Sequence, residues 1–377
     1  MTDYKATIQQ LMQQADQLAD GNLEQVRLLE KAIQLADSHQ DQALQVSARE
    51  EYVNATIMAQ LPEKAMVAYA FILAYYDKNP DKFGFFTRYK VLWMYKWVIY
   101  KLIDFPTISK ERIAAALDDL TQRYKAGGVN GEKAIYQCRY GLAFRMGDFE
   151  EAQINYQKFV ANDKGMMSDC DACMIAEEIL YLIAKEAYET AIEKAAPILS
   201  GEKTCRSIPS KFYNKLFIAL IQLDRTAQAV SYIEKLSPED NQEYLKTNAG
   251  LLLLQAHIGQ QEPALAIFDK NIGHAYGSAS KTVPFEFCLA AQVLMNNYLE
   301  AGISQLPLTI TKKLPFYQES GMYQPLNILQ FLEQEIATIE KAFNARNGND
   351  YFSKKRARVA SLKSLRKDTV GFALKEE

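Results

Sequence analysis

Apolar and polar positions along the chain alternate with the period of an α-helix. In residues 132–164, an apolar stretch and a second, amphipathic stretch are separated by a Gly147–Asp148 turn. In the second stretch Ala152, Tyr156 and Phe159 are spaced by four and three residues, which places them on one helical face. Gly147 can adopt the positive φ that ends a helix. The pattern therefore predicts a helical hairpin.

The same arrangement returns along the chain. Turns followed by amphipathic stretches occur at Gly21–Asn22, Leu61–Pro62, Asp224 and Gly259, with less regular units at 83–126 and 169–200 and a last pair at 285–302 and 325–344. The turns recur every ~36–45 residues, a spacing typical of helical repeats. We predict an all-α fold, a right-handed α-α superhelix of about eight degenerate hairpins over residues 1–350. The first helix of each pair is expected to form the concave face.

One segment carries a family resemblance. The run GDFEEAQINYQKF, which begins at Gly147, resembles the second half of a tetratricopeptide repeat, with the pattern G-[DN]-aromatic-x-E-A-x-x-x-aromatic. The family's small residue in the first helix is displaced by one place, to Gly141, and no proline follows Asn162–Asp163. The resemblance implies a superhelix whose groove binds an extended or helical peptide.

A narrower resemblance rests on four short motifs. The motifs are D-C-x-x-C, A-P-[IV]-L-S-G, C-x-x-[IV]-P and F-[DN]-A-R-N-G-N, which here are Asp169–Cys173, Ala196–Gly201, Cys205–Pro209 and Phe343–Asn349. In these motifs the chain is similar to a group of bacterial tetratricopeptide-repeat proteins of unassigned function. A histidine often follows the proline in that group, whereas Ser210 stands here. This resemblance implies a bacterial origin and the same fold, but no activity.

Composition narrows the classes of function. Glycine (17) and proline (11) are scarce among 377 residues, which favours long helices, and the net charge of −3 requires no nucleic-acid partner. The first residues lack the basic and apolar regions of a signal peptide. Apolar runs such as Gly250–Leu254 and Phe287–Met295 are too short to span a bilayer. We therefore expect a cytoplasmic protein without a membrane span.

Three cysteines form the most distinctive candidate site. Cys170 and Cys173 make a C-x-x-C pair in the first turn of a predicted helix, and Cys205 precedes the first helix of the next hairpin. Stacked hairpins would bring these sulfurs together as three of the four ligands of a structural zinc ion, with Asp169, Asp171 or water as the fourth. Packing as small apolar side chains and oxidation to a disulfide are the alternatives. The sequence predicts no other cofactor.

Catalytic motifs are scarce. The three histidines, His39, His257 and His274, belong to different predicted hairpins, and the sequence has no phosphate-binding loop, nucleophile elbow or zinc-protease motif. We therefore expect a protein that is not an enzyme. A redox protein that depends on the cysteines is the alternative.

An aromatic segment at 83–105 holds both tryptophans. Five aromatic side chains step by three and four along it, and we expect this stripe to be buried, with a ligand-binding aromatic pocket as the alternative: Phe86, Tyr89, Trp93, Trp97 and Tyr100. Tyr95 falls off the stripe, so it is the first aromatic residue expected to be available to a ligand.

The end of the chain is basic. Residues 351–367 carry seven Lys or Arg and no acid. Residues 351–377 are predicted to be a basic tail or a capping helix. A basic amphipathic helix can also contact nucleic acid, an anionic membrane or an acidic partner. Nucleic-acid binding is therefore expected only through this segment.

Together these observations predict a non-enzymatic scaffold that binds a protein or peptide on its concave face. The expected groove residues are Gln137, Arg145, Lys211, Asn214 and Lys246. Their mildly basic character favours an acidic ligand or one with a C-terminal carboxylate. The alternative is a peptide-responsive bacterial regulator, although no helix-turn-helix precedes the repeats. The sequence gives no oligomeric state.

Overall fold

The computed structural model describes residues 3–19, 21–59, 61–205, 208, 212–236 and 245–362. Within these ranges the regular structure is helical, apart from one short two-stranded ladder and an isolated bridge between Cys205 and Ile208. The helices, in chain order, are α1 (Tyr4–Asp16), α2 (Leu23–Ser38), α3 (Gln42–Met58), α4 (Pro62–Lys78), α5 (Phe85–Leu102), α6 (Lys110–Ala126), α7 (Glu132–Arg145), α8 (Phe149–Ala161), α9 (Asp171–Ala184), α10 (Tyr188–Lys194), α11 (Ala196–Leu199), α12 (Tyr213–Gln222), α13 (Thr226–Val230), α14 (Leu245–His257), α15 (Gln261–Tyr276), α16 (Thr282–Glu300), α17 (Pro325–Asn347) and α18 (Tyr351–Ala360).

Smaller elements complete the described fold. Single 3₁₀ turns occupy Pro80–Lys82 and Ile233–Lys235. Strands β1 (Leu306–Pro307) and β2 (Met322–Tyr323) pair antiparallel, with Leu306 opposite Tyr323. This ladder lies in the long connection between α16 and α17, and the helical periodicity gave no sign of it.

Local signals explain where the helices begin and end. The side chains of Asn22, Ser109 and Asp148 each accept a hydrogen bond from a backbone N–H of the helix that follows, which satisfies a group that the helix itself leaves unpaired. Gly147 has a φ of 81°, so it ends α7 and allows the tight turn into α8. The hairpin predicted around this turn is confirmed.

Successive helices pack against each other in pairs, from α1 with α2 to α16 with α17. The first helices of neighbouring pairs also contact each other: α3 contacts α5, α5 contacts α7, and α14 contacts α16. They therefore form an inner row, with the second helices behind it.

Apolar faces with helical spacing form much of the core. Ala65, Tyr69 and Ile72 are buried on α4, and Ala264 and Phe268 are buried on α15. The alanines allow close helix approach, whereas a side chain such as Phe268 contributes about 2 kcal/mol by leaving water. The spacing of four and three residues on α4 repeats the one predicted for Ala152, Tyr156 and Phe159.

The prediction for α5 was only partly right: the other four aromatic side chains of the stripe are half-buried and pack against the core, but Phe86 and Tyr95 are reversed. Phe86 is 84% exposed, whereas Tyr95 is 9% exposed and stacks on Tyr69 with ring centroids 5.2 Å apart. The helix turns Val91, Tyr95 and the aliphatic residues beside them towards the core instead, because α5 is apolar on nearly all sides and periodicity alone does not choose its buried face.

No helix in the described ranges is long and apolar enough to cross a membrane.

The far end of the chain folds back onto its middle. The backbone N–H of Lys281 donates to the Asp104 carbonyl at 2.9 Å, and Thr282 Oγ1 donates to Asp104 Oδ1 at 2.7 Å. The Arg346 guanidinium, near the end of α17, reaches the Ile103 carbonyl at 3.2 Å. These contacts join the third helical pair to the eighth and close the inner row around a cavity.

Candidate functional site

A cavity of about 460 Å³ lies inside the row of first helices. Its walls come from α5, α7, α9, α12, α14 and α16, together with the last helix, α18. Every helical pair from the third to the eighth therefore contributes to the cavity. It falls in the size range of pockets that bind small ligands.

The charged residues of the wall are mostly cationic. Its six cations are Lys101, Arg145, Lys215, Lys246, Lys355 and Arg358, whereas its two carboxylates are Asp104 and Glu286. The remaining wall is largely apolar, with residues such as Phe144, Leu253 and Phe352. Charges act more strongly in such surroundings, because little water screens them.

Arg145 is held in place by a carboxylate outside the cavity. Its guanidinium forms a bidentate pair with Glu177, and its Nη1 also donates to the Gly141 carbonyl at 2.9 Å. The group lies over the Phe144 ring, 4.5 Å from the centroid. Burial would lower the pKa of Arg145, but Glu177 outweighs it and raises the pKa. Arg145 is therefore a fixed, permanently charged group.

Glu286 is the anionic centre of the wall. Burial would raise the pKa of its carboxyl, but the cations Lys355, Lys246 and Lys215 lower the pKa to about 2. The Lys355 ammonium lies 3.5 Å from Glu286. Glu286 is thus ionised at neutral pH and partly balances the lysines around it.

Lys246 and Asp104 form a second, looser pair. The Lys246 Nζ lies 3.8 Å from Asp104 Oδ1. Burial alone would lower the pKa of Lys246, but Asp104 and Glu286 raise it above its usual value. The ammonium therefore stays charged.

Two lysines have no direct counter-ion. Within the described ranges, Lys101 and Lys215 make no ion pair or hydrogen bond through their ammonium groups. Burial lowers the pKa of Lys215 to about 8, and the neighbouring cations Lys246 and Arg145 add to this effect while Glu286 opposes it. Burial also lowers the pKa of Lys101. The cavity thus carries positive charge that the described chain does not fully neutralise.

Helix α18 closes one side of the cavity. Phe352 stacks on Phe343 with ring centroids 4.2 Å apart and packs against Phe285. Arg358 pairs with Glu186 at 2.5 Å, yet its buried Nε has no hydrogen-bond partner in the described ranges. The first part of the basic end of the chain is therefore an ordered helix in the wall of the cavity.

Three of the five groove residues expected from the sequence meet in this cavity: Arg145, Asn214 and Lys246. Gln137 does not line it; the side chain is buried and donates to Asp169 Oδ2 at 2.8 Å. Lys211 lies outside the described residues. Asn214 packs against Gly250, where an added Cβ would come within 3.2 Å of the Asn214 Cβ, so glycine allows α12 and α14 to approach.

Sequence reasoning missed most of the charged wall: Lys101, Asp104, Lys215, Glu286, Lys355 and Arg358. A local signal existed for some of them. Glu286 stands between phenylalanines and Lys101 between apolar residues, so each is a lone charge in an apolar stretch of helix. Such a charge is costly to bury unless it is paired, and it therefore indicates a partner or a site.

The sequence left open a ligand-binding aromatic pocket in residues 83–105, and a cavity does lie beside the aromatic side chains of α5. A second cavity of about 400 Å³ is lined by Tyr89, Trp93 and Trp97 on one side and by Glu50 and Glu51 on the other. Among the residues that the structure describes, its walls come from α3 and α5.

The three predicted cysteines come together. The Sγ atoms of Cys170, Cys173 and Cys205 all lie within 4.8 Å of one another, and the last two are 3.6 Å apart. Burial, together with the neighbouring thiols, raises the pKa of Cys173. This cluster can hold a metal ion. No other group of three His, Cys, Asp or Glu side chains comes this close within the described ranges.

Both acidic candidates for the fourth ligand have other partners. Asp169 accepts from the buried Lys96 ammonium at 2.6 Å and from Gln137. Asp171 accepts from Lys164 at 2.9 Å. The three histidines lie apart from this cluster and from the cavity.

Comparisons with known proteins assign no family to this chain: no family model matches the sequence, and neither does any curated protein.

Proposed function

We propose that this protein binds an acidic peptide in the cationic cavity and that the peptide's free C-terminal carboxylate contacts Lys215 and Lys246. The observation that carries the proposal is the excess of six cations over two carboxylates in the wall. In this view the helical pairs form a tetratricopeptide-like array, and its inner row is the binding face.

The charge balance supports an anionic ligand. Glu177 and Glu186, which lie outside the wall, neutralise Arg145 and Arg358. Counting them with Asp104 and Glu286 still leaves two of the six cations unbalanced. A ligand carboxylate would supply the missing counter-charge where water is scarce, and such charge-assisted hydrogen bonds are stronger than neutral ones.

Unpaired polar atoms favour a peptide over a simple anion. The Asn214 Oδ1 atom is buried and has no hydrogen-bond partner in the described ranges. It is an acceptor, so a peptide N–H would satisfy it, whereas an inorganic anion would not. The buried Arg358 Nε would in turn donate to a ligand oxygen.

The lining supports binding rather than catalysis. Among the described residues the wall contains no serine, cysteine or histidine. Its one aliphatic hydroxyl, on Thr282, donates to Asp104. The three-cysteine cluster contributes no residue to this wall. We therefore assign the cavity a recognition role.

Fluorescence anisotropy tests the proposal directly. A labelled pool of short peptides rich in Asp and Glu, with free C-terminal carboxylates, should bind the full-length protein, and the same pool with amidated C-termini should bind at least about tenfold more weakly. Lys215→Met and Lys246→Met should each weaken binding by a similar factor.

Lys354→Met is the matched control. Lys354 lies on α18, but its side chain is 67% exposed and pairs with Asp350 on the outside. It should leave the affinity unchanged. Equal binding of acidic, amidated and neutral pools, or a loss of affinity in the control alone, would contradict the proposal.

A further inference from the structure

The three-cysteine cluster has the spacing that a thiolate metal site needs. In a tetrahedral site with Zn–S bonds of about 2.3 Å, neighbouring sulfurs lie about 3.8 Å apart. The Cys173 and Cys205 Sγ atoms are 3.6 Å apart, and the Cys170 Sγ lies within 4.8 Å of both. Small rotations of the side chains would complete this geometry, whereas a disulfide requires the two sulfurs to approach to about 2.05 Å.

The local backbone places two of these sulfurs at the start of one helix. Cys170 is the N-cap of α9 and its side chain makes no capping hydrogen bond, while Cys173 lies in the first turn of the helix. The C-x-x-C spacing therefore brings both sulfurs to the same end of α9.

Cys205 is held in place by backbone hydrogen bonds to Ile208. Its N–H donates to the Ile208 carbonyl at 3.0 Å, and the Ile208 N–H donates back to the Cys205 carbonyl at 3.2 Å. This reciprocal pairing fixes the backbone opposite the start of α9. The third ligand is therefore positioned by backbone hydrogen bonds that do not involve its sulfur.

We propose that Cys170, Cys173 and Cys205 bind one Zn²⁺ ion as thiolates, with water in the fourth position. Water is assigned there because Asp169 is held by Lys96, and Asp171 by Lys164. Three thiolates and one Zn²⁺ carry a net charge of −1. Lys164 and Lys203, both near Asp171, would offset that charge.

The ion would connect two helical pairs. It would join the start of α9 to the segment that leads into α12, and metal binding to a site that exists only in the folded chain stabilises the fold. This site is separate from the cavity, so it stands or fails independently of peptide binding.

Metal content and cobalt spectroscopy test the site. The full-length protein, purified under reducing conditions, should carry about one zinc per chain in elemental analysis. Replacement by Co²⁺ should give the thiolate-to-cobalt charge-transfer band and the visible bands of a tetrahedral site. Cys170→Ser, Cys173→Ser and Cys205→Ser should each reduce the zinc content to near none while helical circular dichroism is retained.

Cys288→Ala is the matched control, since this thiol is buried on α16, away from the cluster. It should keep both the zinc and the cobalt spectrum. Three outcomes would overturn the proposal: no zinc and no cobalt binding in the reduced protein, equal metal content in all variants, or a Cys173–Cys205 disulfide that persists in reductant when zinc is added.

Discussion

At the scale of single residues, the pKa of Lys215 links folding stability to pH. Desolvation, reinforced by the cations Lys246 and Arg145 and opposed by Glu286, lowers its pKa from an ordinary value of 10.5 to about 8 in the folded protein. The unfolded chain therefore binds more protons than the folded one between about pH 8 and 10.5. Folding stability attributable to this group rises with pH across that window and is lowest below it.

Lys215→Met should consequently stabilise the ligand-free protein at pH 7. We expect the free energy of unfolding to rise by about 1–3 kcal/mol, because the variant removes a half-buried charge without a direct counter-ion. The gain should shrink as the pH approaches 10, where the wild-type ammonium loses its proton. Urea unfolding at pH 7 and pH 10 measures this difference.

The exposed Lys354→Met provides the comparison at both pH values and should change little. A loss of stability in Lys215→Met at pH 7 would show that the ammonium has a stabilising partner instead.

At the scale of helices, α18 decides whether the cavity is closed. Phe352 anchors this helix between Phe343 and Phe285 and is 2% exposed. Phe352→Ala should remove most of that anchor, a change that typically costs about 3–5 kcal/mol in a core. Because α18 lies at the edge of the packed helices, we expect local release before global unfolding.

Hydrogen exchange followed by mass spectrometry measures this release. Amides of residues 351–360 should exchange faster in Phe352→Ala, while those of α3 and α4 keep their wild-type rates. Uniformly faster exchange along the whole chain would instead mean that α18 and the rest of the molecule unfold together.

The helices themselves could largely be predicted from sequence, because their signals are local. Asn22 and Asp148 cap helices, Gly147 ends one, and the spacing of Ala65, Tyr69 and Ile72 marks a buried face. Each of these effects acts within about two helical turns.

The cavity could be predicted only in part, because its residues come from distant positions. Arg145, Asn214 and Lys246 followed from repeat geometry. Lys355 on α18 meets Glu286 on α16 only because the end of the chain folds back, and no local pattern encodes that contact. The buried face of α5 was partly misassigned for a related reason: tertiary packing chose between two apolar stripes.

At the scale of the whole molecule, closure of the inner row depends on Asp104. This residue is 5% exposed and precedes α6 in the third helical pair. It accepts hydrogen bonds from Lys281 and Thr282, at the start of the eighth pair, and it raises the pKa of Lys246 on α14. The Asp104 carboxylate therefore takes part both in the contact that closes the row and in the charge balance of the cavity.

Asp104→Asn isolates the charge, because the amide oxygen can still accept the Thr282 hydrogen bond. We expect the free energy of unfolding to fall by about 2–3 kcal/mol, since Lys246 would lose its nearest carboxylate in a poorly solvated site. The exposed Asp163→Asn should change it little. Lys246→Met alone should also cost stability, because it would leave the Asp104 carboxylate without its ammonium.

The double variant Asp104→Asn/Lys246→Met then tests closure itself. If the third and seventh helical pairs face each other across the cavity in solution, the two changes should be non-additive by about 1–2 kcal/mol, with the double variant more stable than the sum of the single effects predicts. Urea unfolding of the four proteins gives this coupling energy. Strict additivity would mean that the two residues do not meet and that the inner row is open. The cations would then face solvent. The cavity would lose the low-dielectric surroundings on which its proposed preference for a carboxylate depends.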